Sequence, residues 1–247
     1  MRWLTMMRVA LGLYSATAKA TPQPVSLRGQ IAGGADWIKL YADFRWRAGE
    51  DCRPTLGLDE MRAAVVAAHN AGRPVAVHAA TAEVMRRAIA AGVDTIEHGY
   101  GGTPEIFAAM AAKHIVLCTI LAASDATARY CGWTGSEPAP AAVEQNRNSF
   151  QMGLRAGTPI CMGGDVGVFT HDQNAREMEF MVAAGMAPAS VLIAATRGKA
   201  RWLHLSDCLG AVKPGLLAVE GDPTADIRAV RHVRLVMKGR TLVSTRN

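Results

Sequence analysis

From residue 33 onward one rhythm governs this chain. A Gly-containing turn leads into a short apolar run, an Ala-rich amphipathic run follows, and another turn closes the unit. AGGADWIKLY predicts a strand near 36–41. LDEMRAAVVAAHNAG predicts a helix over 58–72, with Met61, Val65 and Ala68 on one face and Gly72 at its end. PVAVHA is the next strand, and TAEVMRRAIAAG the next helix, with Thr81 placed to cap it. VDTIEHG, a helix over 103–114 opened by Thr103 and Pro104, and the strand IVLCTI continue the series. A helix over 141–157, the buried-type strand TPICMGGD and helices near 174–184 and 188–203 complete it. The period is about 20 residues, typical of βα units with right-handed crossovers. The expected fold class is therefore α/β with a parallel sheet.

Two stretches depart from the rhythm. Residues 122–140, containing CGWTGSEPAP, read as a long loop, and a loop of that length in a compact domain is commonly a lid. Beyond about residue 204 the pattern turns to strand-like runs separated by Pro214-Gly215, Gly221-Asp222-Pro223 and Lys238-Gly239, as expected of a small β subdomain. The expected division is thus an N-terminal segment over 1–30, a barrel-type region over 31–204 and β-subdomain strands over 205–247. Five strands are expected between 36 and 163, whereas a complete β/α barrel has eight. Residues 1–32 are too few for three further βα units of about 20–30 residues each. The chain is expected to be the C-terminal part of a larger architecture, a partial (β/α)8 barrel.

Composition narrows the partners. The net charge is +6, but Lys and Arg are scattered and no basic stripe is interleaved with aromatics, so nucleic-acid binding is not expected. No run of about 18 apolar residues exists, so no membrane span is expected. The five cysteines (52, 118, 131, 161 and 208) form no C-x-x-C pair. That reads as a reducing, cytoplasmic setting, with Cys118 and Cys161 as small buried thiols. Residues 1–20 imitate a signal peptide, although Arg8 interrupts the apolar stretch. An open five-strand sheet leaves an edge that admits pairing with another chain, hence a homo-oligomer.

Four side chains of ligand type fall near the ends of these strands, in order: Lys39, His78, His98 and Asp165. Taken singly, each has an ordinary reading as a solvated charge, a hydrogen-bonded core imidazole or a turn-forming Asp. In sequence at successive strand ends, they match the layout of an active site on the C-terminal rim of a β/α barrel. Tyr41 and Arg45 follow the Lys39 strand, and His171 follows Asp165.

The segments GADWIKLYADFRW, VAVHAATAEVMRRAIAAGVDTIEHG and MGGDVGVFTHDQNAREMEFMVAAGMAP resemble the metal-dependent amidohydrolase superfamily. The resemblance is to its imidazolonepropionase-like and Xaa-Pro or Xaa-Arg dipeptidase branch. It implies a (β/α)8 barrel, here strands 4–8, beside a small β-sandwich of which the C-terminal strands remain. Lys39 matches the lysine that is N-carboxylated and bridges two metals, His78 and His98 match ligands of the second metal, and Asp165 matches a ligand of the first that also moves a proton. The implied cofactor is zinc, in one or two ions, and the implied reaction is hydrolysis of an amide in a dipeptide or N-acyl amino acid by metal-activated hydroxide. Tyr41, Arg45 and His171 would contact the small-molecule substrate, Arg45 as a planar fork for a carboxylate. The family's opening His-x-His strand has no counterpart here. The chain is therefore expected to be N-terminally truncated and to hold one zinc through Lys39, His78 and His98. The competing expectation is an impaired fragment, active only when another chain completes it.

Overall fold

The computed structural model describes residues 9–12, 24–47, 49–206, 210, 218–219, 221–238 and 241–245. They fall into two compact units, residues 1–118 with 148–159, and residues 119–147 with 160–247.

The first unit holds the βα rhythm. In chain order it contains β1 (Val9–Gly12), α1 (Pro24–Ala32), β2 (Trp37–Tyr41), β3 (Asp43–Phe44), β4 (Arg53–Pro54), α2 (Leu58–Asn70), β5 (Val75–Ala79), α3 (Ala82–Ala91), β6 (Thr95–His98), α4 (Pro104–Ala112) and most of β7 (Val116–Thr119). Strands β1, β2, β5, β6 and β7 lie side by side in that order, and their pairings are parallel. β3 and β4 form a small antiparallel hairpin.

The helices start where the sequence supplies caps. The Thr81 hydroxyl accepts from Val84 N and the Thr103 hydroxyl from Ile106 N, each satisfying an orphan donor of the first turn. Glu60 reaches back to accept from Gly57 N at 2.7 Å. Ile38, Val75, Val77, Ile96 and Leu117 from the strands are buried, as are Met61, Met85, Phe107 and Met110 from the helices. The strands expected from residue 36 onward are preceded by one more. Val9–Gly12, inside the signal-like stretch, pairs with β2 in parallel, with Val9 opposite Trp37 and Gly12 opposite Leu40.

The second unit contains α5 (Leu121–Tyr130), the start of α6 (Ala141–Arg155), β8 (Ile160–Met162), α7 (Ala175–Ala183), α8 (Pro188–Ala195), α9 (Arg197–Trp202), β9 (Ala218–Val219), a 3-10 turn (Ile227–Arg231), β10 (Val233–Lys238) and β11 (Thr241–Thr245). The last three strands form an antiparallel sheet in the order β11-β10-β9. The turn expected at Pro214-Gly215 lies outside the described residues.

Three expectations are corrected. The first half of the long loop expected over 122–140 is helix, because α5 occupies it and the loop shrinks to 131–140. Its ten residues, LAASDATARY, carry no capping side chain of their own. The cap comes from α7 instead: the Glu177 carboxylate accepts from Leu121 N at 2.9 Å and Ala122 N at 2.7 Å. The helix expected over 188–203 breaks at Thr196 (φ −121°, ψ −95°), giving α8 and α9. Finally, Cys118 and Cys161 are each disulfide-bonded rather than free thiols. Among the described residues no helix is long and apolar enough to cross a membrane.

Candidate functional site

Strand register in the first unit brings four of the seven predicted residues together, namely Lys39, Tyr41, His78 and His98. Tyr41 of β2 lies opposite His78 of β5, and Ala79 of β5 lies opposite His98 of β6. Register partners in a parallel sheet share a face, so Tyr41 and His78 stack, with ring centroids 3.9 Å apart and planes 12° from parallel. Strict alternation would place His98 on the face of Ala79. His98 has φ +70°, a left-handed conformation that breaks the pleat at the strand's last residue. Its ring stands 4.4 Å from that of His78, edge to face. Gly99 follows with φ +67°, and a Cβ there would sit 2.6 Å from Leu117 Cδ1. Only glycine fits this turn.

Lys39 sits in the middle of β2 rather than at its end, half-buried, two residues before Tyr41 on the same face. Its charge reaches both imidazoles. Burial, and then the charge of Lys39, lowers the pKa of His78 from 6.5 to about 4. Burial, then His78, then Lys39 lowers that of His98 to about 3. Both rings are therefore neutral near pH 7 and keep a lone pair for a ligand.

Two further residues hold these rings, and the sequence reading assigned neither a role. Asp43 opens β3 and is fully buried. It accepts from Ala80 N, Thr81 N and the Thr81 hydroxyl at 2.8–3.0 Å, and its Oδ1 lies 3.5 Å from His78 Nε2. Burial raises the pKa of Asp43, and the bonds from Ala80 and Thr81 oppose that rise. The carboxylate thus ties the segment just after His78 to the end of β2. Tyr100 does the same for the other ring, its hydroxyl lying 2.8 Å from His98 Nδ1. The signals were present in the sequence: an Asp two residues past Tyr41, and a Tyr two residues past His98.

This arrangement suits a divalent ion in one respect. Metal-ligating histidines usually have their second ring nitrogen engaged by a carboxylate or other partner. Here Asp43 faces His78 Nε2 and Tyr100 engages His98 Nδ1, leaving His78 Nδ1 and His98 Nε2. Among the described residues no group of three or more His, Cys, Asp or Glu is placed to hold a metal. Lys39 is the third donor only if its charge is reversed. An ammonium repels a cation, whereas a carbamate on the same nitrogen is an anionic oxygen ligand.

Asp165 and His171 belong to the second unit. Asp165 lies three residues beyond the end of β8, exposed, with φ +51°, a conformation that Asp tolerates better than most residues. Its carbonyl accepts from Val168 N at 3.2 Å, closing a turn. His171 is exposed on the loop leading to α7. Arg45, in the first unit, is exposed just beyond β3.

The sequence profile of the Amidohydrolase family matches residues 5–237. Uncharacterized proteins of Mycobacterium bovis and Mycobacterium tuberculosis are 28% identical over 234 residues, spanning 88% of this chain and 61% of theirs. Among solved structures, a Xaa-Pro dipeptidase with methionine bound in its active site matches with a TM-score of 0.80 at 30% identity, covering 90% of this chain and 58% of that one. An amidohydrolase structure matches with a TM-score of 0.76 at 27% identity, covering 90% and 57%. The chain spans about six-tenths of the length of these relatives.

Proposed function

The chain belongs to the amidohydrolase family, and from that premise we propose that it is a metal-dependent hydrolase of amide bonds in dipeptides or N-acyl amino acids. The observation that carries the reading is the pair of neutral imidazoles, His78 and His98, with ring centroids 4.4 Å apart beside Lys39, Asp43 Oδ1 3.5 Å from His78 Nε2 and the Tyr100 hydroxyl 2.8 Å from His98 Nδ1. The likeness to a Xaa-Pro dipeptidase supports a dipeptide-like substrate.

In this proposal His78, His98 and an N-carboxylated Lys39 would hold one zinc ion. A bound zinc supplies Lewis acidity toward a carbonyl oxygen and acidifies water. The protein's residues do the rest. Burial of His78 and His98 keeps them unprotonated over the working pH range. Asp43 and Tyr100 fix the ring orientations. Tyr41, stacked on His78, presents a hydroxyl that donates to the substrate carbonyl. Arg45 offers a planar donor fork to the substrate carboxylate, and His171 contacts the substrate. Asp165 takes a proton and returns it to the departing amine, as base and then acid.

The test is metal content together with hydrolysis of a dipeptide panel by the full chain. The proposal expects about one zinc per chain and release of free amino acid. Asp165→Asn should retain the zinc and lose turnover. Zinc binding without hydrolysis of any dipeptide or N-acyl amino acid would defeat the assignment of reaction.

A further inference from the structure

Six large apolar side chains are exposed among the described residues: Tyr41, Phe44, Trp46, Val66, Tyr130 and Ile193. Three of the six fall within one six-residue stretch, so they form a patch rather than scattered surface contacts. Tyr41 is 39% exposed, Phe44 45% and Trp46 51%. Their rings touch in series. Tyr41 and Phe44 centroids are 6.0 Å apart, and Phe44 and Trp46 centroids are 5.5 Å apart, both edge to face. The series continues inward, since Tyr41 stacks on His78 and His78 meets His98. An unbroken row of rings thus runs from the two histidines to the surface of the first unit.

The row stands on a braced support. Asp43, between Tyr41 and Phe44, is fully buried and bound by three donors from Ala80 and Thr81. The Thr55 hydroxyl donates to the Tyr41 carbonyl at 2.5 Å, and Thr55 N donates to Ala42 O at 2.9 Å. Phe44 is paired with Arg53 in the hairpin. Glu50 N donates to Arg47 O beyond Trp46. Rings held on hydrogen-bonded backbone before a ligand arrives bind it with less ordering cost.

We infer that Tyr41, Phe44 and Trp46 form an aromatic shelf that receives the aromatic or large apolar side chain of the amide substrate and so sets specificity. The continuity of the row with His78 and His98 selects a substrate side chain as the occupant. The inference rests on the amide-hydrolase reading above and names the substrate class within it. The aromatic contact adds to the burial of the side chain's apolar area, which glycine lacks, so the preference should reach at least about tenfold.

The experiment titrates the full chain, with and without zinc, with N-acetyl-L-phenylalanine and N-acetylglycine, by calorimetry and tryptophan fluorescence. The expected result is binding of N-acetyl-L-phenylalanine at least about tenfold tighter than N-acetylglycine. Phe44→Ala and Trp46→Ala should each reduce the ratio severalfold with an unchanged circular dichroism spectrum, and Trp46→Phe should keep most of it. A ratio near one in the zinc-loaded protein, no binding of either compound, or an unchanged ratio in both alanine variants overturns the shelf. So does sedimentation that shows a dimer dissociated by Trp46→Ala, because the rings would then be a contact between copies. Loss of zinc binding with the ratio intact would defeat the hydrolase reading and leave the shelf standing.

Discussion

Replacing Asp43 with Asn probes the support of the site directly. The buried carboxylate receives Ala80 N, Thr81 N and the Thr81 hydroxyl, three donors on two oxygens. Asn keeps one acceptor oxygen and turns an NH2 group toward the donors. At least one charge-assisted bond is lost, about 1.5–3 kcal/mol, and a buried donor goes unpaired, about 1–3 kcal/mol. Against this, burial is the largest influence on the Asp43 carboxyl and raises its pKa, so removing the charge recovers part of the loss. The net destabilisation should be about 2 kcal/mol, a fall in Tm of about 4–8 °C for a chain of this size. Asp43→Ala leaves all three donors unpaired and should cost more, about 3–5 kcal/mol. Because the tethered residues follow His78 immediately, zinc affinity should fall about 10–100-fold in either variant. Thermal melts and urea titrations give the stabilities, and competition with a chromophoric chelator gives the affinity. Asn and Ala variants both as stable as the parent, with zinc affinity intact, would show that Asp43 does not brace the site.

Other outcomes follow from the same structure. Burial raises Glu177 from 4.5 to about 8, although two backbone N–H groups pull it down. The folded state therefore holds a proton that the unfolded chain releases between those pH values. That stability is present below about pH 4.5 and is lost as pH rises through 8, on the order of 5 kcal/mol in all. Glu177→Gln should flatten the alkaline decline, and parallel pH–stability curves for the two proteins would refute this. His78 and His98 act with the opposite sign. Their depressed values of about 4 and 3 mean that the unfolded chain takes up protons first. The metal-free protein should lose stability as pH falls below about 6.5, and His98→Gln should lessen that loss in acid denaturation curves. Gly99→Ala forces a Cβ to 2.6 Å from Leu117 Cδ1 at φ +67° and should cost about 1–3 kcal/mol in a melt. A change under about 0.5 kcal/mol would argue against the tight turn after His98.

What was legible in the sequence was whatever a local stretch encodes by itself. Apolar runs gave β2, β5, β6, β7 and β8, and Thr81, Thr103 and Pro104 marked helix starts that the structure retains. α5 was hidden because its cap is Glu177, 56 residues away in sequence. The break at Thr196 was hidden because 188–203 carries no helix breaker at the bend except Gly198, two residues later. His78 and His98 stood out as ligand-type side chains close to the ends of apolar strands, and Lys39 as a charge inside one. Asp43 and Tyr100 did not, because their importance lies in which rings they face, and that is set by register and by the left-handed turn at His98.

The proposed centre is one metal ion held by Lys39, His78 and His98 together. Zinc or cobalt titration of the full chain, in bicarbonate so that Lys39 can be carboxylated, tests it in parallel with Lys39→Ala, His78→Ala, His98→Ala and the control His232→Ala. His232 is exposed at the end of the 3-10 turn in the second unit. About one tightly bound ion is expected in the parent and in His232→Ala, and loss of tight binding in each of the other three. Two tightly held ions in the parent, or equal binding by His98→Ala and His232→Ala, would contradict it.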